Sequence, residues 1–120
     1  MAKILVHVTI GPEEPSRATW AFLVAQSAID EGHTVSLFLA GNAVHLLRDA
    51  VLNKVQGIGL GKLREHYDRI VEGGGKFYLS EMSCKGLGIS ESALKGKAAE
   101  FAMPNVFVRL ALEHDRMFTY

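Results

Sequence analysis

Cysteine is almost absent from this chain of 120 residues, and Cys84 is the only one. A single cysteine excludes an internal disulfide and fits a reducing compartment. It also leaves one free thiol whose presence needs an explanation. Cys84 is therefore the first candidate for chemistry.

Net charge is also lacking, because 13 basic and 13 acidic side chains balance. This balance excludes the broad basic surface of a nucleic-acid-binding protein, so no direct nucleic-acid partner is expected. The apolar N-terminal run ends at Gly11-Pro12, too soon for a signal peptide or a membrane span. We therefore expect a cytoplasmic protein without a membrane partner, folded as a single domain over residues 1–120.

Motifs for metals and nucleotides are missing as well. The five histidines form no pair four residues apart and no cluster with cysteine, so no metal site is predicted. The glycine-rich segment Gln56 to Gly61 matches neither a dinucleotide-binding loop nor a P-loop, and it follows a predicted helix instead of a strand. We interpret this segment as a flexible connector or a lid over a site. No cofactor is expected.

What the chain does contain is a regular alternation of apolar runs and helical patterns. The runs predict strands at residues 4–10, 34–40, 76–80, 98–103 and 116–120. Helical spacing predicts helices at 15–31, 44–55, 62–72 and from 104 onward, with a short helical turn at 90–94. This order is typical of βαβ units, and it predicts an α/β fold with a parallel sheet.

The first predicted helix has apolar residues on two faces. One face would cover the sheet with Ala18, Ala21, Phe22, Ala25, Ala28 and Ile29. Trp20, Leu23 and Val24 fall on nearly the opposite side. These three residues predict either a subunit interface or packing under a neighbouring helix of the same chain.

The stretch from Lys76 to Ile89 joins a predicted strand to the segment that holds Cys84. In open α/β sheets, functional groups collect where a strand's carboxyl end meets the next helix. Helix N–H groups and Lys85 would favour the thiolate there, which predicts a lowered pKa and a nucleophilic, catalytic Cys84. The alternative is that Cys84 is a small buried hydrophobic residue.

Polar and small side chains around Cys84 predict a pocket at the same strand end. Its predicted members are Ser80, Glu81, Met82, Ser83, Lys85 and, from the loop after the first strand, Gly11. For Ser80, Glu81 and Ser83 the alternative is ordinary turn and N-cap chemistry. For Gly11 the alternative is a plain turn before a helix start.

Four segments make the chain resemble the DsrE/DsrF-like family, which includes sulfur-relay subunits of tRNA thiolation and small predicted peroxiredoxins. They are G-P-E-E-P-S-R-A (11–18), E-G-H-T-V-S-L-F-L (31–39), M-S-C-K-G-L-G-I (82–89) and A-L-E-H-D-R-M-F-T-Y (111–120). The resemblance implies a three-layer α/β/α domain, flavodoxin-like or Rossmann-like, with about five parallel strands. It also implies homo-oligomers, either trimers or hexamers of two stacked trimers.

The resemblance further implies sulfur carriage, in which a cysteine at the end of the third strand accepts persulfide sulfur from a donor and passes it to an acceptor protein. In this chain Ser80 occupies that place, and Cys84 lies four residues further on. One hypothesis is a cytoplasmic, sulfurtransferase-like carrier or thiol-redox protein that works through Cys84. A second is a non-catalytic, oligomeric binding or scaffold member that has lost the strand-end cysteine. A third, from fold analogy alone, is a small-ligand or nucleotide binder at the sheet edge.

Overall fold

The computed structural model describes residues 1–120 and contains seven strands and five α-helices. The strands are β1 (Lys3–Val8), β2 (Thr34–Leu39), β3 (Gln56–Gly57), β4 (Gly61–Lys62), β5 (Lys76–Ser80), β6 (Ala99–Ala102) and β7 (Arg116–Thr119). The helices are α1 (Pro15–Asp30), α2 (Asp49–Leu52), α3 (Leu63–Glu72), α4 (Glu81–Gly86) and α5 (Pro104–Glu113), with 3₁₀ helices at Gly41–Leu47 and Glu91–Leu94. Every helix is too short or too polar to span a bilayer.

Five of the strands form one parallel sheet in the order β6–β5–β2–β1–β7. The central strands β1 and β2 are buried along most of their length, because their apolar side chains pack against helices on both faces. Strands β6 and β7 form the two edges of the sheet. The predicted α/β fold with about five parallel strands is confirmed.

The two faces of the sheet are covered unequally. The face under α1 and α3 has a core of 25 buried residues, which includes Phe22 and Phe77. The face under α5 has four: Leu5, Phe38, Ala102 and Leu110. A helix is about 10 Å wide, whereas five strands set about 4.8 Å apart span about 19 Å. Helix α5 therefore leaves this face open towards both edge strands.

Helix α1 closely follows its prediction. It begins at Pro15, which suits the first turn of a helix because its missing N–H has no partner there anyway. The face predicted to cover the sheet is buried, with Ala18, Ala21, Phe22 and Ala25 fully enclosed. The sequence pattern therefore placed the inner side of this helix correctly.

The predicted second helix at 44–55 was wrong as a single element. The chain forms the 3₁₀ helix Gly41–Leu47 and then the one-turn helix α2, separated by Arg48 in an extended conformation (φ −69°, ψ 134°). Leu46, Leu47 and Leu52 are all fully buried. The change of direction at Arg48 lets leucines from both short helical pieces join the main core.

The glycine-rich segment, predicted to be a flexible connector or a lid, has regular structure. Strands β3 and β4 pair there as a small antiparallel hairpin, whose turn uses positive φ angles at Gly59 and Gly61. The buried His66 ring holds this hairpin: its Nε2 lies 2.7 Å from the carbonyl oxygen of Leu60, and its Nδ1 lies 2.6 Å from Gln26 Oε1. Tertiary hydrogen bonds thus order a segment whose composition suggests mobility.

Candidate functional site

The loops at the carboxyl ends of β2 and β5 meet through two serine hydroxyls. Ser80 ends β5 and caps α4, because its Oγ accepts a hydrogen bond from the backbone N–H of Ser83 at 3.1 Å. Ser83 Oγ in turn accepts a hydrogen bond from the backbone N–H of Gly41 at 3.0 Å. Both predicted pocket serines therefore act in the structure as capping and loop-joining groups.

Cys84 lies on the inner side of α4 and belongs to the main hydrophobic core, with 1% of its surface exposed. Burial raises the pKa of its thiol, and the negative charge of Glu81 raises it further. The expectation of a lowered pKa was wrong in direction. Helix α4 has only six residues, and it turns the thiol towards the core instead of towards solvent. The neutral thiol is the favoured form in this structure.

Lys85 does not supply the positive charge that the sequence suggested for Cys84. Its side chain is 78% exposed and approaches Glu81, with Nζ 3.9 Å from Oε2. The two residues are four positions apart on α4, so their side chains share its outer face. The lysine therefore offsets the charge of Glu81 at the surface, on the side of the helix that faces away from the core.

The other predicted pocket residues are spread over different environments. Met82 is 59% exposed, whereas Gly11 is buried. A Cβ atom on Gly11 would lie 2.3 Å from the carbonyl oxygen of Asn42, so glycine allows the loops after β1 and β2 to touch. Glu81 alone among the predicted set lines a cleft, and that cleft opens towards β6. The structure does not bring the six residues together around one cavity.

Glu13 stabilises the close approach of the two loops. Its Oε2 accepts a hydrogen bond from the backbone N–H of Gly11 at 3.0 Å. Partial desolvation acts to raise the pKa of Glu13, but hydrogen bonds from backbone N–H groups and from Asn42, with the nearby charge of His45, bring it below its ordinary value. This carboxylate is thus ionised and tied into the turn that precedes α1.

The largest clefts lie beside β6, which the sequence analysis did not identify as part of a site. One, of about 460 Å³, is lined by Glu81, Glu91, Leu94, Ala99, Glu100 and Phe101. Another, of about 420 Å³, lies on the α5 side and includes Tyr78, Glu100, Arg109 and Glu113. The only sequence signal was a weak strand containing a glutamate. The lining residues are far apart in sequence, and their proximity can be recognised only when the strand order is known.

The charges beside β6 affect a tyrosine in the second cleft. Burial raises the pKa of Tyr78, and the carboxylates of Glu100 and Glu113 raise it further. Tyr78 therefore keeps its phenolic proton. No group of three or more His, Cys, Asp or Glu side chains is arranged to hold a metal ion.

The predicted interface residues of α1 differ in exposure. Trp20 is 46% exposed, a large value for a tryptophan, whereas Leu23 and Val24 are half-buried by their own chain. The exposed indole leaves this side of α1 available to another molecule, and the interface itself stays a prediction.

Solved structures with the same fold cover the whole chain. The ychN protein from E. coli is 19% identical, with a TM-score of 0.81 and full coverage of both chains. MTH1491 from Methanobacterium thermoautotrophicum, described as a protein of unknown function, is 11% identical, with a TM-score of 0.76 and full coverage of both chains. BT1422 from Bacteroides thetaiotaomicron, described as a conserved protein of unknown function, is 14% identical, with a TM-score of 0.70 over 99% of this chain and 95% of its own. At these identities the likeness establishes the fold alone.

Family membership comes from the sequence itself. No curated protein matches the chain. The model of the DsrE/DsrF-like family, however, matches residues 2–120. The match spans nearly every residue of the fold described above, including all four segments that carried the resemblance (11–18, 31–39, 82–89 and 111–120). The chain therefore belongs to the DsrE/DsrF-like family.

Proposed function

We propose that this protein is an oligomeric binding or scaffold member of its family that does not carry sulfur on its own cysteine. Membership supports a sulfur-relay or thiol-redox class in broad terms. The burial of Cys84, with its raised pKa, is the observation that carries the proposal. A sulfur carrier needs a thiolate that a donor can reach, and a neutral thiol in the core is a poor nucleophile.

The strand-end position supports the same proposal. Ser80 stands where the family resemblance implies the carrier cysteine, and a hydroxyl cannot hold a sulfane sulfur. Its oxygen is engaged in capping α4, which is a structural task. On this proposal, the strand end has a serine where a sulfur relay would need a thiol.

Sulfur transfer through Cys84 is the second candidate function. Its support is the position of Cys84 within the short helix α4, between exposed residues Met82 and Lys85. Local opening of one short surface helix costs less free energy than global unfolding. A donor protein that displaces α4 would then gain access to the thiol.

Persulfide loading distinguishes the two candidates. Folded wild-type protein is incubated with inorganic polysulfide, and its intact mass is measured before and after treatment with a reductant. We expect no reducible sulfur adduct on the folded protein, and a clear adduct on the same protein in denaturant. Cys84→Ala is the control, because alanine removes the thiol without placing a hydroxyl in the core.

A reducible adduct on folded wild type that is absent from Cys84→Ala would overturn the proposal and make Cys84 the carrier. Alkylation rates of the folded protein give a second measurement. A rate near that of the denatured chain would likewise contradict a buried, inert thiol.

A further inference from the structure

Strand β6 is an open edge of the sheet, with unused backbone hydrogen-bonding groups. Phe77 N donates to Ala98 O at 3.1 Å, and Phe77 pairs with Ala99 in the parallel register. In a parallel ladder, alternate residues bond to the same neighbour, so the backbone of Glu100 faces β5. The N–H and C=O groups of Ala99 and Phe101 therefore point away from the sheet. They are positioned to pair with one more strand.

Clefts lie on both faces of this edge, and Glu100 borders each of them. The cleft of about 460 Å³ lies beside Leu94 and Phe101, and the cleft of about 420 Å³ lies beside α5. An extended strand points successive side chains to opposite faces. A strand paired with β6 would therefore place alternate side chains in the two clefts.

The charge around the edge is mainly negative. Four acidic side chains line the two clefts, Glu81, Glu91, Glu100 and Glu113, against one basic side chain, Arg109. A third cleft at the start of β6 adds Lys76. Glu91 and Glu100 form no ion pair, and the nearest cation to Glu81 is Lys85 at 3.9 Å. The cleft beside Leu94 has no basic side chain in its lining.

We propose that β6 binds an extended, basic segment of a partner protein as a sixth strand of the sheet. The backbone of Ala99 and Phe101 would form the ladder, and Lys or Arg side chains of the partner would enter the two clefts, beside Glu91 on one face and beside Glu100 on the α5 face. Main-chain pairing supplies affinity in this mode of recognition, and the side-chain clefts supply specificity. The inference is independent of Cys84, so it stands whether or not that thiol carries sulfur.

A second copy of this chain is a poorer occupant of the same edge. Two β6 edges paired about a twofold axis would bring Glu100 and its neighbours in both copies together, and like charges directly opposite each other destabilise a strand pair. The opposite edge, β7, carries Arg116 with exposed Met117 and Phe118 and lines none of these clefts. The acidic clefts thus lie at the β6 edge alone.

The test uses a fluorescent, end-capped hexapeptide of alternating lysine and valine, titrated against the full chain by fluorescence anisotropy. Matched peptides have glutamate in place of lysine, or methylated backbone nitrogens that block strand pairing. We expect the lysine peptide to bind and both controls to fail. Residue-resolved amide hydrogen exchange at saturating peptide should slow at Ala99 and Phe101, whose N–H groups face outward, and change little at Glu100.

Variants then separate charge from pairing. The double variant Glu91→Gln/Glu100→Gln removes a carboxylate from each face, and it should bind the lysine peptide about fivefold more weakly, as expected for the loss of one partly screened ion pair. Glu72→Gln, an exposed carboxylate of α3, is the matched control and should bind like wild type. Ala99→Pro removes an N–H group that points outward and forms no ladder bond to β5, so the edge strand should accept the proline. Because that N–H would pair with the peptide, the variant should not bind it.

Several results would overturn the inference. These are no binding of the lysine peptide, equal binding of the glutamate peptide, or slowed exchange at β7 in place of β6. Slowed exchange at Ala99 that depends on protein concentration without peptide would assign the edge to a second copy. If Ala99→Pro fails to fold, the charge variants and the residue-resolved exchange still decide the question.

Discussion

The Oγ atom of Ser83 lies 3.0 Å from the backbone nitrogen of Gly41 and accepts its hydrogen bond. The two residues are 42 positions apart in sequence, so this bond connects α4 to the loop after β2. It fixes the position of α4 above the carboxyl edge of the sheet. The hydroxyl therefore helps keep the face of α4 that carries Cys84 turned towards the core.

Ser83→Ala should lower the free energy of unfolding by about 1 kcal/mol, the usual net value of one protein hydrogen bond. The measurement is urea unfolding followed by circular dichroism. Ser92→Ala is the control, since its hydroxyl contacts only the Ser90 hydroxyl at the surface, and its effect should be close to zero. Equal midpoints for the two variants would show that the bond to Gly41 contributes nothing to stability.

Ser80→Cys in a Cys84→Ala background should create a reactive thiol at the strand end. Ser80 is only partly buried and stands at the N-cap of α4, where backbone N–H groups favour a thiolate. We expect faster alkylation and polysulfide loading of the folded double variant than of wild type. Slow alkylation at residue 80 would contradict the prediction that the strand end supports a reactive thiol.

Gly11→Ala should destabilise the fold by more than about 2 kcal/mol, because a rigid backbone atom blocks the new methyl group. The added Cβ would lie 2.3 Å from the carbonyl oxygen of Asn42. Gly86→Ala is the matched control, since a Cβ there meets nothing within 4 Å and alanine suits the end of α4. Thermal unfolding of both variants checks the prediction, and similar melting temperatures would contradict it.

The stability of the protein should depend on the ionisation of His7. Burial lowers the pKa of this ring from its ordinary 6.5, and Phe107 packs against it at a centroid distance of 4.5 Å. The unfolded chain therefore binds a proton more readily than the folded one, so stability falls as pH drops below about 6.5. The loss should continue down to the folded pKa and then level off.

His7→Gln removes this titration and serves as the comparison. Urea midpoints are measured for both proteins at several pH values from neutral to mildly acidic. The difference between wild type and variant isolates His7, because the other histidines titrate in both proteins. A constant difference across this range would show that the ring is not shielded from solvent.

Trp20→Glu should shift an assembled protein towards smaller species while its far-ultraviolet circular dichroism stays native. The indole is 46% exposed on the outer side of α1, so a carboxylate there is harmless in the monomer and costly in an apolar interface. Sedimentation velocity measures the change. Leu112→Glu on α5, where the side chain is 83% exposed, is the control. Dissociation of the assembly by Leu112→Glu but not by Trp20→Glu would contradict the prediction and show that the interface lies on the α5 face.

The elements that sequence predicted well depend on local signals. The strand at Thr34–Leu39 is an apolar run bounded by glycine, and the first helix starts at Pro15 with a period that identifies its inner face. Such patterns depend on neighbouring residues alone. They were enough for the fold class and for most element boundaries.

The properties of the candidate site depend on packing between distant segments. Whether Cys84 faces solvent or the core is decided by how α4 rests on the loop at Gly41, which no local pattern encodes. Glu91 and Glu100 come to border one cleft only because β6 lies outermost in the sheet. The chemistry of single residues was therefore harder to predict than the architecture that holds them.

The pairing of β7 with β1 sets an order of events during synthesis of the chain. Lys3 and Asp115 are 112 positions apart, yet Lys3 N donates to Asp115 Oδ2 at 2.8 Å, and Tyr120 N donates to His7 O at 2.8 Å. On the ribosome, β1 can pair with β2 early but keeps an unpaired outer side until β7 has emerged. A nascent chain stalled before residue 116 would thus display the largely apolar strand β1 as an open edge, where chaperones that recognise extended apolar segments would bind.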